Sequence, residues 1–409
     1  MFLSDADKKI VEKLVSSGVR LCAHCLGRLF GKVGSGLSNP QRASKIIAET
    51  AYEYVEPAQC NLCQGIFGKI NRYAEIGINV LKNVEWETFL VGSKYDEEIL
   101  AYEEKLWLEL GARNAESIKS EFNREVGKKI AEISGKSVNF TEPDCVVIID
   151  TRFDVAQLEI RPLFIYGRYR KYVRGIPQTR WYCRNCRGKG CRRCGGTGKM
   201  YETSVQELIA CKVIEATGGK EHFFHGMGRE DIDVRMLGNG RPFILEIREP
   251  VKRKLDLAKL AEEINEYARE KVEVEGLRFA THKDVESLKS EKATKRYIAL
   301  VEFDQPVSPE RFERVLCELR EKDIYQKTPY RVLHRRSDLT RKRRIHDAKL
   351  NWLHGNTAEL EIECASGTYV KELVSGDEGR TTPSISELLG IPCRVKALDV
   401  IKINDGLEE

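Results

Sequence analysis

The spacing of apolar residues along the first 160 positions alternates between helical and extended patterns. Residues 4–17 repeat apolar side chains at helical spacing between Ser4, which can cap a helix, and Gly18, which can end one. The same spacing predicts helices over residues 41–54, 95–110 and 115–134, and short apolar runs predict strands or strand entries over 77–84, 88–93 and 144–160. This part of the chain therefore reads as an α/β module with helices against a small sheet.

From residue 201 onward the pattern predicts one larger α+β unit. Helices are expected over residues 204–218, 255–271 and 308–322, and strands over 241–250, 295–304, 358–366 and 395–403. Gly238-Asn239-Gly240 is typical of a turn that leads into the strand at 242–248. We expect a central, mainly antiparallel sheet in this half.

Composition narrows the class of protein. The chain has 409 residues, of which 41% are hydrophobic and 32% charged, so it is long enough for two or three domains with cores of their own. Its apolar runs are all far shorter than the roughly 20 residues needed to cross a bilayer. The N-terminus also lacks the apolar stretch of a signal peptide. We expect a cytoplasmic monomer with no membrane partner.

The cysteines point to metal. Eight of the thirteen fall in four Cys-x-x-Cys pairs, and a reducing cytosol disfavours a disulfide framework. One compact cluster consists of Cys183, Cys186, Cys191 and Cys194, and a more widely spaced one of Cys22, Cys25, Cys60 and Cys63. Either set would hold a structural zinc ion, because four thiolates fill the coordination shell and leave no position for water. Free cysteines or a redox pair are the alternative.

Two basic segments are candidates for contact with RNA. Residues 161–181 carry six Arg/Lys and no acid, with interleaved aromatic side chains, and residues 328–349 carry eight Arg/Lys and two Asp. Such blocks attract phosphates by charge neutralisation and counterion release, although a solvated charged surface is the alternative. A change in composition near residue 200 favours a domain boundary there, which gives an accessory domain over 1–199 and a second domain over 200–409.

The strongest candidate for chemistry is the segment 226–250. It places Glu230, Asp231 and Asp233 among arginines and glycine turns. Charge and spacing alone also fit a salt-bridged surface loop, so they leave open whether this is an active site.

Three ordered motifs in this half resemble those of pseudouridine synthases. Arg229-Glu230-Asp231 resembles their Arg-x-Asp motif, and Lys295-Arg296-Tyr297 resembles their Lys-x-Tyr strand. Gly367-Thr368-Tyr369-Val370-Lys371-Glu372 resembles their third motif. Over nearly its full length, from LCAHCLGRLFG through QKTPYRVLHRR to GTYVKELVSGDEGRT, the chain resembles the archaeal and eukaryotic Pus-ten family of tRNA pseudouridine synthases.

The resemblance implies a division of labour. Asp231 would be the catalytic carboxylate for uridines 54 and 55 of the tRNA T-loop, and Lys371 would pair with it. Tyr297 would stack on the flipped base and act in proton removal at C5, Tyr369 would shape the nucleotide pocket, and Arg229 would support the loop or contact RNA.

The resemblance also implies a THUMP-like RNA-binding region at about 65–170, and chemistry without metal or nucleotide cofactor. The competing interpretations are another THUMP-type tRNA-modifying enzyme and a non-catalytic zinc-containing RNA-binding protein. The first interpretation requires a glycine-rich cofactor loop, which this sequence does not contain. The second interpretation leaves the three ordered motifs unexplained.

Overall fold

The computed structural model of the protein describes residues 2–334 and 336–406. They form two compact units, each with its own apolar core. The first unit contains Met1–Arg161 and Glu249–Arg253, and the second contains Pro162–Arg248 and Lys254–Glu409. Among the described residues, no helix combines the length and the apolar character that crossing a membrane requires.

The first unit is a small sheet with helices against it. Its helices are α1 (Asp5–Ser17), α2 (Ala23–Leu29), α3 (Asn39–Glu49), α4 (Ile70–Leu81), α5 (Glu97–Leu110) and α6 (Ile118–Ser134), and its strands are β1 (Thr88–Lys94), β2 (Ser137–Val138), β3 (Cys145–Asp150) and β4 (Val155–Ile160). The strand order is β2-β1-β3-β4, in which only the β3–β4 pair is antiparallel. Helices α4 and α6 pack on this sheet.

Local sequence rules explain most of these helices. Ser4 caps α1 in a reciprocal capping box with Asp7, and Gly18 ends the helix in a left-handed conformation, as predicted. The predicted strand at residues 77–84 is wrong, because most of that stretch is the second half of α4. Its Gly77 lies so close to Ile130 of α6 that a Cβ would come 2.9 Å from the Ile130 Cδ1 atom.

The second unit is built on one large sheet. Its helices are α7 (Val205–Thr217), α8 (Leu257–Tyr267), α9 (His282–Ser290), α10 (Pro309–Leu319), α11 (Tyr330–Leu333), α12 (Val370–Ser375) and α13 (Ile385–Leu389). Its strands are β5 (Leu163–Lys171), β6 (Glu221–Gly226), β7 (Val234–Arg248), β8 (Val272–Ala280), β9 (Thr294–Phe303), β10 (Lys322–Gln326), β11 (Arg341–His354), β12 (Thr357–Cys364), β13 (Thr381–Thr382) and β14 (Cys393–Asn404). The order is β13-β10-β11-β12-β9-β14-β7-β5-β8, with β6 beside β7, and only β14 and β7 run parallel. The expected α+β class with a mainly antiparallel sheet is confirmed.

The division between the units lies at residues 161–162 rather than near residue 200. Strand β5 belongs to the large sheet, where it pairs antiparallel with β7 on one side and β8 on the other. The basic composition of residues 161–181 therefore does not mark an accessory domain. The boundary between the two units is set by long-range strand pairing, which the local amino-acid composition does not reveal.

The predicted turn at Gly238-Asn239-Gly240 is wrong as well. Strand β7 runs through these residues without reversing, with positive φ angles of 58° at Gly238 and 69° at Gly240. The Asn239 side chain donates to the carbonyl of Ile403 at 2.9 Å and accepts from its amide at 3.0 Å. Pairing with the C-terminal strand thus keeps β7 continuous where the sequence Gly238-Asn239-Gly240 predicts a turn.

Candidate active site

Strand register brings the three sequence motifs to one place. Tyr297 of β9 lies opposite Val400 of β14, and Val400 lies opposite Met236 near the start of β7. The Asp231 loop joins β6 to β7 just before that point. The Gly367–Lys371 segment follows the end of β12, where Cys364 lies opposite Lys295 of β9. Four segments distant in sequence therefore meet at one end of the sheet.

These segments line a cleft of about 600 Å³ within the second unit. This volume lies within the range of about 300–1,000 Å³ that is usual for small-ligand sites, so it suits one extruded nucleotide. Its walls include Arg229, Asp231, Tyr297, Tyr369 and Lys371, all predicted from sequence. They also include Trp181, Asp233, Arg241, Lys295, Arg331, Arg336 and Leu398.

The Asp231 carboxylate is held by two cations. Arg331 of α11 places Nη1 2.7 Å from Asp231 Oδ2, and Lys371 of α12 places Nζ 3.5 Å from the same oxygen. Lys371 donates its shorter bonds, of 2.7 and 2.8 Å, to Asp233. Although burial opposes it, those bonds lower the pKa of Asp233. The cation predicted to pair with Asp231 thus lies within ion-pair range of it, but it is hydrogen bonded to the neighbouring acid.

Arg331 bridges the loop and the third motif. Its Nε donates to Glu372 Oε1 at 2.6 Å, while its Nη1 meets Asp231. Burial lowers the pKa of an arginine, but these two carboxylates outweigh it and raise the pKa of Arg331, so the guanidinium stays charged. The sequence alone does not distinguish Arg331 from its basic neighbours, although it lies in the segment QKTPYRVLHRR that resembles the family.

A buried network fixes the backbone beside Asp231. The Glu230 side chain is fully buried, accepts hydrogen bonds from the Tyr169 hydroxyl at 2.8 and 2.9 Å, and lies 2.9 Å from Arg241 Nε. Lys171, also fully buried, donates to the carbonyl oxygens of Asp231 at 3.3 Å and Ile232 at 3.2 Å. The acid before Asp231 therefore anchors the loop in the core.

Two tyrosines from the motifs lie along the cleft. Tyr297 is partly buried, and burial raises the pKa of its hydroxyl, so this phenol is neutral at physiological pH. The Tyr369 hydroxyl accepts from Arg336 at 3.0 Å. The Gln326 side chain fixes the Tyr369 backbone. It accepts a hydrogen bond from the Tyr369 amide at 2.9 Å and donates one to the Tyr369 carbonyl at 3.0 Å. Tyr297 offers an aromatic face, and Tyr369 forms part of the rim.

Arg229 lies on the outer side of the cleft. It is exposed, and its guanidinium stands 5.0 Å from the centre of the Trp181 ring. In the sequence, Trp181 is only one of several aromatic residues within a basic segment. The pair offers a flat, cationic surface beside the cleft, of the kind that contacts nucleotide bases.

Both cysteine clusters are assembled. In the first, the sulfur atoms of Cys22, Cys25, Cys60 and Cys63 lie within 4.8 Å of one another, in the core of the first unit. Cys22 Sγ and Cys63 Sγ are 3.7 Å apart. A tetrahedral zinc ion with Zn–S bonds of about 2.3 Å requires sulfur separations of about 3.8 Å, so the cluster fits it. Arg28, which is fully buried, places a positive charge beside Cys25 and offsets part of the thiolate charge.

The second cluster forms a small knuckle in the second unit. Cys183, Cys186, Cys191 and Cys194 also bring their sulfur atoms within 4.8 Å of one another, with separations of 3.7–3.9 Å for three pairs. Three of these four cysteines are partly exposed. Both groups can hold a metal ion, and the identity of zinc stays a prediction from the all-thiolate donor set.

Removing one buried thiolate is expected to unfold the first unit. Cys63→Ser should lower bound zinc from two ions per chain to one, because serine does not replace a thiolate ligand. Structural zinc contributes about 10–16 kcal/mol to the folding of small zinc domains, so the loss should disorder the surrounding core. Metal analysis by mass spectrometry and circular dichroism would measure both effects.

Cys317 provides the matched control. It is exposed and belongs to neither cluster, so Cys317→Ser should retain two ions and normal stability. A chelator should remove the ion of the partly exposed knuckle before the buried one. Two zinc ions in Cys63→Ser would contradict the assignment of the first cluster.

The basic segment at residues 161–181 is mostly neutralised within the protein. Arg168 pairs with Asp405 at 2.8 Å, Arg170 with Glu275 at 2.5 Å and Arg174 with Asp399 at 2.6 Å. Its expected role as an RNA-binding surface is therefore not supported by the contacts of these side chains. The segment at 328–349 lines the cleft through Arg331 and Arg336, and its Arg335 lies outside the described residues.

Two family models match the chain. One, described as Pus10, C-terminal, matches residues 164–404, and the other, described as the archaeal Pus10 THUMP domain, matches residues 73–150. The second match lies inside the THUMP-like region expected at about 65–170. The THUMP match lies in the first unit, and most of the C-terminal match lies in the second.

Curated relatives are similar over most of the chain. The tRNA pseudouridine synthase Pus10 of Methanopyrus kandleri is 41% identical in an alignment that covers 94% of this chain and 95% of that protein. The protein of the same description from Methanocaldococcus jannaschii is 49% identical over 354 residues, covering 86% and 77%. Among solved structures, a chain of a Cbf5-Nop10-Gar1 complex matches with a TM-score of 0.32 and 15% identity, over 49% of this chain and 45% of that one.

Proposed function

Since the chain belongs to the Pus10 family of tRNA pseudouridine synthases, we propose that it isomerises uridines 54 and 55 of the tRNA T-loop with Asp231 as the catalytic carboxylate. The observation that carries the proposal is a carboxylate between two cations, facing a nucleotide-sized cleft with an aromatic wall. The reaction class, conversion of uridine to pseudouridine, is that of the family.

The chemistry needs an ionised acid at the sugar. Asp231 acts at C1′ while the N1–C1′ bond breaks and the C5–C1′ bond forms. Arg331 and Lys371 place two positive charges beside this carboxylate, which offsets the cost of holding a negative charge in a partly enclosed cleft. Asp233 is the rival acid, but its side chain is 66% exposed, against 31% for Asp231. Asp233 therefore serves to hold Lys371.

The target base would enter the cleft flipped out of the RNA. Tyr297 stacks on the uracil ring, and its neutral hydroxyl suits this contact better than proton removal. Tyr369 and Arg336 form the rim on the third-motif side. Arg229 and Trp181 would receive a nucleotide next to the target.

The two units divide the recognition of tRNA. The family resemblance implies that the THUMP domain of the first unit binds the tRNA acceptor end, which leaves the T-loop to the cleft of the second unit. Zinc would be structural at both cysteine clusters and takes no part in a reaction step. A cytoplasmic site of action and a monomeric state stay predictions.

Position-specific mapping tests the function. Unmodified tRNA transcripts are incubated with the protein, and pseudouridine is located by carbodiimide labelling and primer extension. Modification is expected at 54 and 55, and a transcript with cytidine at both positions should remain unmodified. Pseudouridine only at other positions would reject the T-loop assignment, and none at all would reject the proposed activity.

Arg331 is expected to contribute more to catalysis than its sequence context suggests. Arg331→Met should lower the single-turnover rate on the order of 10²-fold, because it removes the 2.7 Å contact that orients and stabilises the Asp231 carboxylate. Single-turnover rates on a T-loop transcript would measure the effect. Arg394→Met is the matched control, because Arg394 is 66% exposed and pairs with Glu302 away from the cleft. Equal rates in the two variants would contradict this role.

A further inference from the structure

The reaction requires a proton acceptor that the groups named so far do not supply. When C5 bonds to C1′, the C5 proton must leave and N1 must gain one. The Tyr297 phenol has a raised pKa, and Asp231 is committed to the sugar. Among the titratable side chains that line the cleft, Lys295 has so far neither a catalytic nor a structural role.

Lys295 is placed to face the base. It lies two positions before Tyr297 on β9, and alternate residues of a strand point to the same side of a sheet. Its side chain lines the same cleft as Asp231 and Tyr297, although the residue is only 7% exposed. Its amine reaches Gly228 at the start of the Asp231 loop, where a Cβ would come 2.8 Å from Lys295 Nζ.

The surroundings of Lys295 do not neutralise its charge. No carboxylate of the described residues lies within 4.0 Å of its amine. Arg241 of β7 repels a positive charge there, while Cys364 of β12 and Glu230 favour it. The facing residue on β14, Ile403, is apolar. Burial, followed by Arg241, lowers the pKa of Lys295 to about 7, so a neutral amine is available at physiological pH.

We propose that Lys295 is the proton carrier of the isomerisation, which takes the proton from C5 and delivers one to N1. This inference rests on the proposed function. The neutral amine accepts the C5 proton, the C–H electron pair forms the C5=C6 bond, and the electrons of N1=C6 move to N1. The ammonium then donates a proton to N1, and the amine is regenerated. Because C5 and N1 flank the same ring carbon, one amine can reach both.

The test compares the wild-type protein with Lys295→Met in single turnovers on T-loop transcripts with hydrogen or deuterium at uracil C5. The variant is expected to be about 100-fold slower, in line with the loss of one general base. A primary isotope effect should appear or increase, because C5 deprotonation becomes rate-limiting. Added ethylamine should raise the variant's rate in proportion to its concentration.

The pH profile gives a separate readout. The wild-type rate should rise as the pH passes through about 7, since only the neutral amine accepts a proton, and Lys295→Met should lose this step. Thermal melting and tRNA binding verify folding, with the exposed Lys396→Met as a matched control. Lys295→Gln replaces the methionine variant if that variant does not fold.

Two results would overturn the inference alone. One is a Lys295 variant with the wild-type rate and pH profile. The other is a slow variant with an unchanged isotope effect and no response to amine, which would make Lys295 a structural residue. A wild-type protein that forms no pseudouridine would overturn the proposed function as well, so the two failures are distinguishable.

Discussion

Asp231→Asn is expected to abolish pseudouridine formation in full-length tRNA, with a loss of about 10⁴-fold or more in the single-turnover rate. Asparagine keeps the size of the side chain and still accepts a hydrogen bond from Arg331, so the loop and the cleft should persist. It carries no negative charge to act at C1′. Quenched-flow turnover with pseudouridine mapping measures the loss, and tRNA binding should change little.

The neighbouring acid is the matched control. Asp233→Asn removes the negative charge that pairs with Lys371 but leaves the 2.7 Å contact between Arg331 and Asp231. Its rate should fall far less than that of Asp231→Asn, because Lys371 can turn to Asp231 from its present distance of 3.5 Å. The reverse ranking, with activity retained in Asp231→Asn, would identify Asp233 as the catalytic acid.

Glu230→Gln is expected to destabilise the second unit by about 3–5 kcal/mol, the usual cost of breaking a buried ion pair by removing one partner. Glutamine keeps the shape of the side chain, but it leaves Arg241 and Lys171 as buried cations without their shared acid. Denaturant unfolding followed by circular dichroism should show a lower midpoint for the transition of this unit.

An exposed ion pair on the same unit sets the baseline. Glu273 is 42% exposed and pairs with Arg170 at 3.2 Å, so Glu273→Gln should change stability by only about 0–1 kcal/mol. Equal midpoints for the two variants would mean that the buried network contributes no more than a surface pair. In that case the loop would depend on its other contacts.

Local patterns predicted the elements whose cause is local. The capping box at Ser4 and the left-handed Gly18 lie within the helix that they delimit. The alternation along β9, with Ala299, Val301 and Phe303 buried, follows from a strand with one face on the core. The cysteine clusters could also be predicted from the sequence, since a Cys-x-x-Cys turn supplies two metal ligands from one segment.

Features that depend on distant partners were not predictable in this way. Arg331 is one of eight basic residues in its segment, and only the fold brings it to Asp231, a hundred positions earlier in the chain. Asn239 lies in a sequence typical of a hairpin, but its bonds to Ile403 keep the strand continuous. The sequence identifies Lys295 as a motif residue. Its burial beside Arg241 depends on how three strands of the sheet assemble, which the motif itself does not show.

The segment Glu249–Arg253 belongs to the first unit, although the residues on both sides of it belong to the second. The chain therefore cannot be divided into its two units by a single cut. Arg253 lies 3.3 Å from Asp144, its amide donates to Glu85 at 2.7 Å, and its guanidinium donates to the carbonyl of Arg161 at 2.7 Å. A polypeptide cut after Arg161 would lose these anchors, although it keeps the whole THUMP match. The two halves are therefore poor candidates for exchange through a single fusion point. A chimaera of two relatives should take residues 249–253 from the same protein as the first unit.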